Sequence, residues 1–178
     1  MSRTIDLNPV IRITAGAVGK PGKRVFYMQA ESDSRRITLL CEKQQVQALG
    51  LGIQEYLQEL QQKHPHLLTP TVSYIEADME LQEPLEPLFR VGQFGLGYDE
   101  ESDRLILVAR EAQEEDAPPD SVADDATEVR FWATRSQMLA FAQYGLSVSV
   151  KGRPICGNCL QPMDPEGHFC PRRNGHKY

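Results

Sequence analysis

The sequence lacks an apolar run long enough to cross a membrane, because no stretch approaches about 18 consecutive apolar residues. Residues 1–10 include Asp6 and Pro9 and contain no apolar segment of the kind that a secretory signal needs. Aromatic residues are also scarce, at 7%, while 25% of the residues are charged, as in ordinary soluble globular proteins. We therefore expect a cytoplasmic protein with no membrane partner.

Cysteine is scarce too: the 178 residues include four, and three of them lie among the last 23. A chain of this length buries about two-thirds of its unfolded surface, so it can fold without disulfide bonds. Clustered cysteines in a chain without a secretory signal favour a metal site in a reducing compartment over a disulfide framework.

Positive charge is scarce in one part of the chain. The net charge is −6, but residues 76–128 hold 17 of the 25 acidic residues and only three of the 19 basic ones. A negative total argues against non-specific duplex binding by the whole surface, although it allows a local basic patch. The densest acidic run, residues 111–125, has no apolar period, so we predict a solvated loop there rather than an acidic docking segment.

The body of the chain contains one pattern twice, namely three segments typical of strands followed by a helical stripe. The strands are predicted at residues 10–18, 24–30 and 36–41 in the first copy, and at residues 88–96, 104–109 and 128–133 in the second. The first helix has an apolar stripe from Val46 to Leu60, and the second begins at Thr134. This order predicts an α+β fold.

Individual residues recur at matching places in the two copies. The segment Leu39-Leu40-Cys41 matches Phe131-Trp132-Ala133, Gln45 matches Gln137, Arg12 matches Arg90, and Gly19 matches Gly97. A three-stranded unit with one helix leaves a face or edge unsatisfied, so a tandem β-β-β-α duplication would share one core across a pseudo-twofold axis. Chance matching of generic strand and helix patterns is the alternative.

The predicted organisation therefore has four parts. A first repeat spans residues 1–64, and a second repeat spans residues 88–150. Residues 65–87 connect them and include one further predicted strand at residues 71–77. A separate C-terminal module covers residues 151–178, while residues 1–150 form one fused domain.

The C-terminal module carries the ligands of a predicted zinc ribbon. Cys156 and Cys159 are separated by two residues, a spacing at which a tight turn aims both sulfurs at one zinc ion, and Cys170 supplies a third. For the fourth ligand we favour His168, in the returning arm, with His176 as the alternative. Four protein ligands leave no open position, so this Zn²⁺ would be structural. A redox pair with a spare thiol is the competing interpretation.

Four segments of the sequence are distinctive: RITAGAVG at 12–19, FYMQA at 26–30, GRP at 152–154 and DPEGHFCPRRNG at 164–175. With these motifs the chain resembles the bacterial family known as domain of unknown function 3090 over nearly its full length. The family has no assigned activity, so the resemblance implies none for this chain. The resemblance does imply a partner, because similar proteins tend to be encoded near a histidine-phosphatase-like protein.

Basic residues indicate two further candidate sites. Arg12 and Arg90 would face each other across the pseudo-twofold axis and bind an anion, although exposed or carboxylate-paired arginines are the commoner arrangement. A basic fringe beside the zinc ribbon would contact a protein partner or a nucleic-acid backbone; it consists of Lys151, Arg153, Arg172 and Arg173.

These features favour a non-catalytic binding or adaptor protein that meets a protein partner. One alternative is an enzyme or small-anion sensor with a site between the two repeats. Another is a nucleic-acid-associated zinc-ribbon factor, which the acidic total disfavours. The sequence contains no phosphate loop, nucleophile elbow or His-Glu-x-x-His motif. The absence of these motifs disfavours an enzyme.

Overall fold

The computed structural model describes residues 2–114, 125–150, 156–160 and 170. These residues form an α+β fold with one seven-stranded sheet and two long helices. Most of the acidic run at residues 111–125, predicted as a solvated loop, lies outside the described residues. Neither of the two long helices in the described ranges is long and apolar enough to span a membrane.

The elements alternate between groups of strands and single helices. In chain order they are β1 (Arg3–Leu7), β2 (Arg12–Val18), β3 (Val25–Glu31), β4 (Arg36–Cys41), α1 (Lys43–Lys63), a short 3-10 helix (Glu76–Met79), β5 (Pro87–Asp99), β6 (Arg104–Glu111), β7 (Thr127–Thr134) and α2 (Arg135–Val150). The six predicted strands of the two repeats and both predicted helices are present; β4 has the predicted bounds, and the ends of the other five strands are shifted.

Two features of the strand prediction differ from the structure. Strand β1 was not predicted, because its alternation consists of only two buried residues, Ile5 and Leu7. The strand predicted at residues 71–77 is wrong. Within the described ranges its apolar residues pair with no strand; instead Val72 and Ile75 are exposed, and the Thr71 N–H donates to Ser136 Oγ at 3.2 Å.

The strand order in the sheet is β1-β7-β6-β5-β4-β3-β2. Each group of three, β2 to β4 and β5 to β7, is an antiparallel meander. The groups meet where β4 and β5 run parallel, and β1 joins the far side of β7, also in parallel. The last strand of the first meander, β4, therefore runs parallel to its neighbour β5. In the same way, the last strand of the second meander, β7, runs parallel to its neighbour β1.

The sheet curls so strongly that its two ends approach each other. The Val10 N–H donates to Trp132 O in β7 at 2.8 Å, and the N–H of the next residue, Ile11, donates to Glu31 O in β3 at 2.8 Å. Because adjacent residues are about 3.8 Å apart, the two acceptor oxygens lie within about 10 Å of each other. In a flat sheet, β7 and β3 would be about 19 Å apart.

Both helices pack against one face of the sheet and against each other. The largest fully buried side chains of the core come from both kinds of element: Phe131, Leu7, Met28, Leu39, Ile53, Leu105, Leu107 and Met138. Small residues allow the helices to approach closely. A methyl group at Gly50 would lie 2.7 Å from Leu146 Cγ, and one at Gly145 would lie 3.3 Å from Val46 Cγ1.

A glutamine at the start of each helix joins that helix to a backbone carbonyl outside it, in β5 for α1 and between β1 and β2 for α2. At α1, the Glu42 N–H donates to Gln45 Oε1 at 2.8 Å, while Gln45 Nε2 donates to Val91 O at 3.0 Å. At α2, the Thr134 N–H donates to Gln137 Oε1 at 2.8 Å, while Gln137 Nε2 donates to Val10 O at 3.1 Å. Both amide groups therefore use their acceptor for the helix cap and their donor for a backbone carbonyl outside the helix.

We expect Gln45→Ala and Gln137→Ala to lower the free energy of unfolding by similar amounts, about 1–2 kcal/mol each. Each substitution removes two hydrogen bonds with the same two roles. Urea unfolding measures the loss, and Gln58→Ala, on the exposed side of α1, is the matched control with an expected change near zero. A large cost at one site and none at the other would contradict the equivalence.

Candidate functional site

Three cysteines come together near the end of the described chain. The sulfurs of Cys156 and Cys170 are 3.8 Å apart, and all three sulfurs, including that of Cys159, lie within 4.8 Å of one another. Tetrahedral zinc with Zn–S bonds of about 2.3 Å separates its sulfurs by about 3.8 Å. Cys156 and Cys170 are buried. The three thiols are therefore close enough to share one metal ion, and a thiolate-rich donor set suits zinc.

The turn between the first two cysteines shapes this cluster. The Leu160 N–H donates to Cys156 O at 2.9 Å, and Leu160 adopts a left-handed φ of 60°. Inside the turn, hydrogen bonds from the backbone of Cys159 and then Asn158 lower the pKa of the Cys156 thiol to about 6. A thiolate is the form of cysteine that binds metal, so this backbone conformation prepares the residue as a ligand.

The remaining predicted residues of the C-terminal module lie outside the described residues. They are the candidate fourth ligands His168 and His176 and the basic fringe of Lys151, Arg153, Arg172 and Arg173. Among the described residues, the three cysteines are the one group of three or more metal-ligating side chains with this proximity.

Arg12 fastens residues 65–87, hereafter the connection, to the sheet. Its Nε donates to Asp78 O at 2.7 Å, and its Nη2 donates to Glu80 O. Its Nη1 donates to Gln29 Oε1 at 3.3 Å and lies 3.6 Å from a carboxylate oxygen of Glu31. The side chain is only 13% exposed. Arg12 therefore has a structural set of partners within the chain.

Two neighbours of Arg12 hold the connection on the same side of the sheet. Thr14 Oγ1 donates to Met79 O at 2.5 Å. The buried Gln29 side chain donates from Nε2 to Gln82 O at 2.9 Å, and its Oε1 accepts from the Gln82 N–H at 2.8 Å. The connection consequently covers the face of β2 and β3 opposite to the helices.

Arg90 has a different environment from Arg12. Its side chain is 61% exposed and forms an ion pair with Glu42, just before α1. It lies on β5 beside Leu40 of β4, so two strands separate it from β2 in the sheet. The structure gives the two arginines separate partners and does not bring them together at one anion site.

The predicted match of Arg12 with Arg90 also matches Gly19 with Gly97, at the same offset along the chain. Gly19 lies in the turn after β2, with a φ of 115°, whereas Gly97 lies inside β5 and pairs with Ile106. The last pairs of the two hairpins are Val18 with Val25 and Asp99 with Arg104. When the two hairpins are aligned on these last pairs, Arg12 corresponds to Gln93 and not to Arg90.

The connection carries an exposed surface of unusual composition. This connection surface consists of three exposed apolar residues, Leu68, Val72 and Ile75, and five exposed acidic residues, Glu76, Asp78, Glu80, Glu83 and Glu86. Within the described part of the chain, none of these five carboxylates forms an ion pair. Residues 65–87 contain no Lys or Arg.

Aromatic residues and a shallow groove lie beside these carboxylates. The rings of Tyr74 and Tyr144 meet edge to face, 5.8 Å apart. Burial, with the nearby carboxylates of Glu76 and Glu80, raises the pKa of Tyr144. A groove of about 260 Å³ between the connection and α2 is lined by residues that include Tyr74 and Ile75. Apolar and acidic groups thus share one surface.

A second arginine fixes the start of the connection. Arg135 Nη1 donates to Leu68 O at 2.6 Å, while Nε and Nη2 donate to the two carboxylate oxygens of Asp103 at 2.9 and 3.1 Å. The hydrogen bonds from Arg135 lower the pKa of Asp103. The connection is therefore anchored at both ends, so its exposed side chains are presented on a fixed backbone.

The family model for Protein of unknown function (DUF3090) matches residues 5–170. The matched region extends from β1 to the third cysteine of the cluster. No curated protein and no solved structure matches the chain.

Proposed function

The chain belongs to the family described as Protein of unknown function (DUF3090), and we propose that it is a non-catalytic adaptor that binds another protein. The connection surface is the observation that carries this proposal. It places exposed apolar side chains next to carboxylates without ion-pair partners among the described residues, on a backbone held by Arg12 and Arg135. A fixed surface that combines apolar and charged groups is typical of protein-binding sites.

The chemistry of this surface supports a partner with a basic surface. Five carboxylates with no neighbouring cation in residues 65–87 attract a protein surface that carries Lys or Arg beside apolar side chains. The partner that the family resemblance implies, a histidine-phosphatase-like protein, is the first candidate. The adaptor would recognise this partner by charge and would gain affinity from burying residues such as Leu68 and Ile75.

We expect the double substitution Glu76→Lys and Glu80→Lys to weaken binding to the purified histidine-phosphatase-like protein by at least about tenfold. The two new cations would repel the basic partner. Calorimetric titration at low and high salt measures this effect, and wild-type binding should weaken as salt rises. The matched control, Glu55→Lys with Glu59→Lys on the exposed side of α1, should bind like wild type. Absence of wild-type binding, or equal loss in both variants, would contradict the proposal.

We also propose that the cysteine cluster holds a structural Zn²⁺. Cys156, Cys159 and Cys170 would supply three thiolates, and the imidazole of His168, or alternatively of His176, would supply the fourth ligand. Bound zinc would hold the C-terminal module in one conformation and so present the basic fringe in one arrangement. Free thiols of this kind need a reducing compartment, which supports a location in the cytoplasm.

The two β-β-β-α units are proposed to be a duplication related by a pseudo-twofold axis. The parallel junction of β1 with β7 has the same form as that of β5 with β4. Gln45 and Gln137 also perform the same two tasks in their units. The nucleic-acid alternative depends on the basic fringe, which lies outside the described residues, and stays a prediction.

A further inference from the structure

A polar pocket of about 390 Å³ lies where β4 ends and α1 begins. Its lining includes Gly22 and Arg24 from the β2–β3 hairpin, Glu42 and Lys43 at the start of α1, and Arg90 from β5. We propose that this pocket binds a small phosphate-bearing anion. The site is separate from the connection surface and does not depend on the proposed adaptor function.

The charge balance of the pocket favours an anion. Three cationic residues line it, whereas Glu42 is the one acidic residue among the described residues of its lining, and its carboxylate pairs with Arg90. Lys43 has no ion pair or hydrogen bond from its side chain to any other described residue. The pocket therefore holds two positive charges, on Arg24 and Lys43, that no carboxylate of the described residues neutralises.

Arg24 is already oriented for such a ligand. Its Nη1 donates to Val148 O near the end of α2 at 3.1 Å, and its guanidinium lies 5.0 Å from the ring centre of Phe26. Neither contact neutralises its charge. A guanidinium held in place by a carbonyl and a ring loses little freedom when an anion binds, and its other N–H groups match phosphate oxygens.

The arrangement of the cations suits a tetrahedral dianion better than a single carboxylate. Arg24, Lys43 and Arg90 come from three separate elements, so together they can contact several oxygens of one phosphate group. The volume exceeds that of inorganic phosphate, so the ligand class includes small phosphate monoesters.

Glu42 competes with the proposed ligand for Arg90. The competition predicts changes of opposite sign: Lys43→Gln should weaken binding of inorganic phosphate by about tenfold, whereas Glu42→Gln should strengthen it severalfold. Arg24→Gln should weaken binding as Lys43→Gln does. Lys63→Gln, an equal charge change at the other end of α1, should leave the affinity within twofold of wild type.

Phosphorus NMR and calorimetric titration of the full chain test the site with inorganic phosphate and, in a second arm, phenyl phosphate. The ionic strength is matched with chloride. Tighter binding of the monoester identifies an organic phosphate as the ligand, and equal binding identifies the free ion; both results support the site. Two results would overturn it, namely no saturable binding above the chloride control, or wild-type affinity in both Lys43→Gln and Arg24→Gln. Lys43 is exposed, so its substitution leaves the fold intact.

Discussion

Replacing Cys170 by serine is expected to lower the affinity of the chain for zinc by roughly 100-fold or more. The substitution removes a buried sulfur that lies 3.8 Å from that of Cys156 and leaves two thiols for the ion. Mass spectrometry of the metal content, after dialysis against a competing chelator, should find one zinc per wild-type chain and almost none in Cys170→Ser. Cobalt substitution should give thiolate charge-transfer absorption in the wild type alone.

Cys41 provides the control for this experiment. Burial raises the pKa of the Cys41 thiol to about 12, so it remains protonated and is a poor metal ligand. Cys41→Ala should therefore retain the full zinc content. The same assay on His168→Ala and His176→Ala identifies the fourth ligand by which of them loses the metal. A wild-type chain without zinc, or full retention in Cys170→Ser, would refute the metal centre.

Arg12→Met should lower the free energy of unfolding by about 2–3 kcal/mol, because it removes a charged donor from several acceptors. The carbonyls of Asp78 and Glu80 would lose that donor. The connection would then detach more readily, so chymotrypsin should cleave after Tyr74 faster than in the wild type. Urea unfolding and the initial cleavage rate measure the two effects.

Arg90→Met is the matched control, since it removes the same charge from an exposed ion pair. Exposed pairs contribute about 0–1 kcal/mol, so its effect on unfolding should be small and cleavage after Tyr74 unchanged. Equal costs for the two variants would show that Arg12 does not anchor the connection.

The sequence allowed the local parts of this structure to be predicted. Strand β4, the apolar stripe of α1 and the start of α2 were found because alternation, apolar stripes and capping residues act within a few positions. The sulfur cluster was also predictable in part, since the spacing of Cys156 and Cys159 constrains a short turn. Each of these signals depends on neighbours close in sequence.

The parts that sequence reasoning missed depend on distant residues. The path of the connection is set by Arg12 and Gln29, about 50 to 70 residues away from the backbone groups that they bind. The phosphate pocket joins Arg24, Lys43 and Arg90, which share no motif or spacing. Alignment of Gly19 with Gly97 failed because composition does not distinguish a turn glycine from a strand glycine.

The pairing of β1 with β7 has a consequence for synthesis on the ribosome. Arg3 pairs with Thr127, so the first strand to be made must await a partner made 124 residues later. At translation rates of about 5–20 residues per second, that delay is roughly 6–25 seconds. Throughout it the nascent chain exposes Ile5 and Leu7 and an unpaired strand edge, which is a substrate of the kind that chaperones protect.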